Sequence, residues 1–200
     1  MPDEPDSPQL SRRDLIAGAS FIPVAALAAP AAAPPRTALS TDQRQLLEAV
    51  VDRLVPKDEL GPGAVECGAA NYIDLSLADA LASEKPAFVQ GLADLEAFSR
   101  RQRGAAFSQL SPEQKDAILT AMEQGSAEGF ADARPFFNRV RRLTLEGMFC
   151  DPYYGGNKNF AGWDLIRYPG ARLAVGPEDQ RMSTPPRPLH QSAYGTHEGH

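Results

Sequence analysis

From Ser40 to Met148, apolar residues return at intervals of three and four, and nowhere do they alternate between hairpin signals as a strand would. That period predicts helices that each present one apolar stripe. Leu46, Leu47, Val50, Val51 and Leu54 form the first stripe, with Ser40 and Gln43 spaced as a capping box ahead of it and Pro56 ending it. Tyr72, Ile73, Leu77 and Leu81 mark a second helix beyond the turn-rich stretch KDELGPGAVECG. Pro86 suits the first turn of a third, whose face is Phe88, Leu92, Leu95 and Phe98 or Ser99. Ser111-Pro112-Glu113-Gln114 is the clearest start signal, a cap followed by proline and, three positions after the cap, glutamine; Ile118, Leu119 and Met122 follow it. A last helix runs from Ala133 or Pro135 through Phe136, Phe137, Val140, Leu143, Thr144, Gly147 and Met148, and Asp151-Pro152 stops it. The expected fold is all-α, about five helices in one small domain over 39–172.

With 42% hydrophobic residues in 200, the chain can bury a real core. Its net charge of -6 argues against a nucleic-acid surface, and no basic block with interleaved aromatics offsets it. Arg139, Arg141 and Arg142 come nearest, and they read as one solvated helix face.

The N-terminus has the layout of an export signal. Arg12-Arg13 precedes Leu15-Ile16 and a mildly apolar run broken by Gly18, Ser20 and Pro23, which closes in small residues. This resembles a twin-arginine signal, with cleavage after Ala28 favoured by Ala26-Leu27-Ala28 and Ala31 as the second choice. Residues 1–28 are read as the signal and 29–38 as a Pro/Ala linker. Cleavage removes two arginines and four acids, which moves the net charge from -6 to -4, so the acidity belongs to the domain. The expected location is the periplasm. A twin-arginine route carries folded proteins, often with a cofactor already inserted, which raises the question of where that cofactor sits.

The segment FCDPYYGGNKNFAGWDLIRYPGA, 149–171, holds six of the fifteen aromatic residues and the only tryptophan, yet Asp151-Pro152, Gly155-Gly156, Gly162 and Pro169-Gly170 forbid a long helix. So much aromatic surface on a loop needs a cover, either the domain's own core or another protein. Residues 173–200, proline-rich and nearly free of aliphatics, are read as a flexible tail.

A search for chemistry returns little. His190, His197 and His200 all lie in the tail, which leaves the body without the usual acid-base or metal-ligating imidazole. Gly155-Gly156 has neither the strand nor the spacing of a phosphate-binding loop. Asp151 and Asp164 flank the aromatic loop and could pair as carboxylates, but their settings favour capping. Cys67 and Cys150, 83 positions apart, cannot supply a four-cysteine site. In an exported protein they most simply form a disulfide, with buried free thiols as the alternative.

The twin-arginine start, the stretch DRLVPKDELGPGAVECGAANYID and the ending LEGMFCDPYYGGNKNFAGWDLIRYPGA together resemble the small subunit, subunit 3, of gluconate 2-dehydrogenase-type complexes over roughly 39–171. The DPYYGGN and AGWDLIRYPG stretches carry the likeness most specifically. The resemblance implies an accessory subunit without catalytic residues, cofactor or metal of its own. Its large partner oxidises sugars, sugar acids or related alcohols with FAD, and in many complexes a multihaem cytochrome c takes the electrons and can hold the assembly at a membrane. The twin-arginine translocase would export the folded pair. The aromatic loop is then partner contact, clasp, or both: Trp163 and Phe160 are expected to turn inward and Tyr153, Tyr154 and Tyr168 toward the partner, with Asp151, Gly155, Gly156 and Asn157 belonging to the same interface or clasp. A free-standing maturation factor that touches the flavoprotein only transiently is the second reading, and an enzyme built on Asp151, Tyr153, Tyr154 or Asp164 the third.

Overall fold

Both predicted capping boxes form, and each sets the first residue of its helix. Ser40 Oγ accepts from Gln43 N at 3.3 Å while Gln43 Oε1 accepts from Ser40 N at 2.9 Å, which opens α1, Thr41–Leu54. The same exchange between Ser111 and Gln114 opens α4, Pro112–Gln124, with proline at its first position and Gly125 closing it in the left-handed conformation. Between them lie α2, Ala69–Ala78, and α3, Lys85–Arg103; after them come α5, Ala133–Phe149, and the five-residue α6, Ala161–Leu165. The computed structural model describes residues 37–172, 174–177, 179–181 and 183–194. Arg12, Arg13, Leu15 and Ile16 of the export signal lie outside the described residues.

The protein is mainly α, as expected, with no strand among the described residues beyond an isolated bridge between Asp58 and Gly61. Two details differ from the reading of the periodicity. The second helix stops at Ala78, because Leu81 N bonds Ser76 O at 2.7 Å and turns the chain; Leu81 still packs on the core from the turn. The aromatic segment contains α6, a single turn that fits between its breakers.

The helical stripes meet in one core. Leu47 and Val51 of α1, Ile73 and Leu77 of α2, Phe88, Leu92 and Leu95 of α3, Met122 of α4, and Leu143 and Met148 of α5 are all buried. Each such side chain contributes about 1.5–3 kcal/mol. The core extends beyond the helices through Phe107, buried in the turn between α3 and α4. α2 lies tightly against α5 because Gly147 leaves no side chain in the way: a Cβ there would stand 3.0 Å from Ala69 Cα and 3.0 Å from Tyr72 Cβ. That contact places the end of α5, from which the aromatic segment departs, beside α2.

One buried carboxylate fixes where the domain begins. Asp74 of α2 accepts from Ala38 N at 2.7 Å and Leu39 N at 2.9 Å through Oδ1, and from Arg44 through Oδ2 at 3.1 Å. With both oxygens engaged the charge is compensated, and the chain entering α1 is tied to α2.

The aromatic loop as candidate functional site

Helix α5 ends with carbonyls that have no intrahelical partner, and the aromatic segment folds so as to supply partners. Asn157 does most of this. It is fully buried and sits in the left-handed region at φ 43, which asparagine tolerates better than most residues. Its backbone N–H donates to Gly147 O at 2.7 Å and its Nδ2 to Cys150 O at 2.9 Å. Its Oδ1 accepts from Gly162 N at 2.9 Å and Trp163 N at 3.3 Å, the orphan donors at the start of α6. One side chain thus joins the C-terminus of α5 to the N-terminus of α6. Trp163 closes the same end from the other side, its Nε1 donating to Phe149 O at 2.9 Å while the ring is buried against Phe160 and Tyr168.

The glycines allow this approach. A Cβ on Gly156 would fall 2.1 Å from Gly147 O, and one on Gly162 only 1.8 Å from Met148 O, so the loop backbone lies directly on the carbonyl end of α5. The segment is also tied to the other helices. Lys158 N donates to Cys67 O at 2.9 Å, and Asn71 Nδ2 of α2 donates to Gly155 O at 2.8 Å. Asn71 Oδ1 in turn accepts from Arg44 at 3.3 Å, so the network anchored on Asp74 reaches the loop. The sequence reading missed Arg44, Asn71 and Asp74. The available signal was an acid, Asp74, four residues after Ala70 and three before Leu77, on the apolar side of α2.

The outer side of the loop is different. Tyr153, Tyr154 and Tyr168 are exposed, Phe160 is half-buried and Ile166 is 55% exposed. Asp151 caps the turn Pro152–Tyr154, its Oδ1 accepting from Tyr153 N at 3.0 Å. Asp164 makes no cap hydrogen bond among the described residues; its Oδ1 lies 2.6 Å from His190 Nε2. Asn157, which the sequence left in a group that could serve as partner contact or clasp, belongs to the inner half.

Residues read from sequence as tail lie along this outer face. Tyr194 stacks near Tyr153 with centroids 4.7 Å apart and accepts from the Tyr154 hydroxyl at 3.0 Å. That bond, with smaller contributions from burial and neighbouring charge, pushes the Tyr154 phenol up to about 12. His190 stacks on Phe160, 5.2 Å between centroids at 12°. Arg172 holds the return with an ion pair to Asp179 and a bond to Arg187 O.

The cysteine pair needs correcting. Cys67 and Cys150 are free thiols, not a disulfide. Cys67 is buried in the core at the turn before α2, and Cys150 ends α5 with its Sγ directed at Gly147 O, 3.7 Å away. Loop backbone lies beside the Cys150 sulfur, where a Cβ on Gly156 would stand 2.9 Å from Sγ, while at Cys67 the loop meets the main chain, Lys158 N donating to its carbonyl oxygen. Burial, which penalises the thiolate, raises both thiols, Cys150 to about 11.

Residues 41–170 match the family described as gluconate 2-dehydrogenase subunit 3. The chain belongs to that family. A gluconate 2-dehydrogenase subunit 3 protein is an accessory subunit of a dehydrogenase complex, so other subunits are its partners. The matched span begins at the first residue of α1 and takes in all six helices and the aromatic loop, and it ends before the returning tail. Searches among curated proteins and among solved structures returned no match. Among the described residues, no three His, Cys, Asp or Glu side chains group as metal ligands, and no helix is long and apolar enough to cross a membrane.

Proposed function

We propose that this chain is the non-catalytic small subunit of a periplasmic, FAD-dependent oxidoreductase of the gluconate 2-dehydrogenase type, that it supports twin-arginine export and stability of the flavin-carrying large subunit, and that it meets that subunit through the outer face of the aromatic loop. The observation that carries this reading is the division of one segment into two chemistries. Asn157 and Trp163 are spent on holding α5, while Tyr153, Tyr154, Tyr168 and Ile166 leave aromatic and aliphatic surface outside. Tyrosine offers apolar area with a polar tip, the composition favoured where two proteins meet. The clasp makes that surface rigid before any partner arrives, which lowers the entropic cost of docking.

FAD is assigned to the large subunit because the family is that of an accessory subunit of a dehydrogenase complex, whose redox chemistry then falls to another subunit. A multihaem cytochrome c as third subunit fits the same scheme and asks nothing of this chain's own residues.

The test is copurification from cells making both subunits, with the flavoprotein followed by its FAD absorbance. Tyr153→Ala and Tyr154→Ala should each leave the melting of the small subunit within a degree or two, since both rings lie outside the core, and lower the flavoprotein retained after a high-salt wash. Arg12→Lys with Arg13→Lys should hold both proteins in the cytoplasm. Full retention of the flavoprotein by both tyrosine variants refutes the docking face, and loss of the wild-type pair in the high-salt wash favours a transient maturation factor.

A further inference from the structure

Four anchors within the six residues from Leu189 to Tyr194 hold the returning chain on the aromatic loop. Leu189 N donates to Pro169 O at 3.0 Å. His190 stacks on Phe160 and bonds Asp164. Ala193 N donates to the second carboxylate oxygen of Asp151 at 2.8 Å. Tyr194 packs on Tyr153 and Tyr154 and bonds the Tyr154 hydroxyl. All of these contacts are to the loop's outer face and none reaches the core.

We infer, resting on the docking face just proposed, that residues 187–194 form an intramolecular strap that competes with the large subunit: it covers Tyr153 and Tyr154 in the free subunit and leaves them when the large subunit docks. The chemistry of the contacts favours a reversible cover. Tyr194 is 59% exposed and Leu189 45%, and the His190–Asp164 pair is open to water on both sides, so closure buries little apolar surface. Pro185, Pro186 and Pro188 keep the approach extended and stiff, which reduces the entropy lost on closing without adding contact. The loop offers two tyrosine rings and two carboxylates, and the strap answers with an aromatic ring, an imidazole and two main-chain donors. A partner segment carrying aromatic and basic side chains would use the same groups, so strap and partner cannot both be seated. The strap shields exposed tyrosines before assembly and imposes a penalty that the correct partner must exceed. A strap closed roughly nine-tenths of the time weakens apparent affinity about tenfold.

Hydrogen exchange of the full-length mature chain, alone and bound to the copurifying flavoprotein, tests this directly. The Leu189 and Ala193 amides should be protected in the free subunit, lose that protection in His190→Ala/Tyr194→Ala, and lose it in the wild-type complex. The same double variant should keep the wild-type melting temperature and bind the flavoprotein up to about tenfold more tightly. Two results overturn the competition: Leu189 and Ala193 staying protected in the complex, or the double variant binding no better than wild type. If Tyr153→Ala and Tyr154→Ala both assemble as well as their parent in the His190→Ala/Tyr194→Ala background, where the strap is already open, the docking face itself has failed and the competition falls with it; if they assemble poorly there while the strap stays closed in the wild-type complex, the competition alone has failed.

Discussion

Replacing Asn157 by alanine should unfasten the aromatic loop and destabilise the whole domain. The substitution deletes two hydrogen bonds of 2.9 Å, to Cys150 O and from Gly162 N, and a longer one of 3.3 Å from Trp163 N. Water has little access to replace them, since Asn157, Gly162 and Trp163 are all buried. A buried polar group left without a partner costs about 1–3 kcal/mol, so the two short bonds alone account for about 2–6 kcal/mol. Alanine at φ 43 adds about 1 kcal/mol of backbone strain that asparagine largely escapes. The expected loss is at least about 3 kcal/mol, or a fall in melting temperature of about 6 °C or more for a domain of this size. Guanidinium unfolding followed by the fluorescence of Trp163 measures it, and this tryptophan reports on the clasp itself. Asn157→Gly separates the two contributions, because it loses the same bonds without the strain and should be about 1 kcal/mol more stable than the alanine variant. A loss under about 1 kcal/mol in Asn157→Ala, or a glycine variant as stable as wild type, refutes the assignment of Asn157 as the joint between α5 and α6.

Trp163→Ala should cost about 3–5 kcal/mol, as large core truncations do, and Trp163→Phe less, since it keeps most of the area and strands only Phe149 O; equal losses in denaturant titrations would show that the hydrogen bond, not the ring, carries the effect. Gly162→Ala puts a methyl 1.8 Å from Met148 O, a backbone atom that cannot swing aside, and is expected to abolish soluble expression or lower the melting temperature more than Trp163→Phe does. Both thiols should resist iodoacetamide at pH 8 in the native protein and react on unfolding, with a mass gain of two adducts; a linked peptide containing Cys67 and Cys150 would overturn the free-thiol assignment. Because the folded Cys150 thiol is raised from the ordinary 9.0 to about 11, its contribution to stability is complete below pH 9 and is lost as pH rises toward 11. Cys150→Ala, titrated by denaturant from pH 8 to 11, should flatten that part of the decline.

Much of the fold was legible because its instructions are local. A capping box spans four residues, and an apolar stripe repeats within a turn or two, so Ser40, Gln43, Ser111 and Gln114 could be assigned by spacing alone. The division within the aromatic loop was partly legible for a similar reason: a tryptophan beside glycine is suited to burial and a tyrosine pair to a surface. What sequence could not supply was which distant groups the loop would meet. Asn157 reads as another polar turn residue until α5 and α6 bring four partners around it, and Asp74 reads as a misplaced acid until Ala38, Leu39 and Arg44 converge on it. The two cysteines satisfy every compositional argument for a disulfide, yet pairing depends on where two sulfurs point, and here both thiols are free, with loop backbone beside the Cys150 sulfur. The tail was misjudged in one respect for the same physical reason. Its composition argues that it cannot build a core, but does not show that Leu189 to Tyr194 would find acceptors and rings on a surface already built by residues some 20 to 40 positions earlier in the chain. Hydrogen-bond complementarity between segments is a property of their relative placement, and placement exists only after the core has formed.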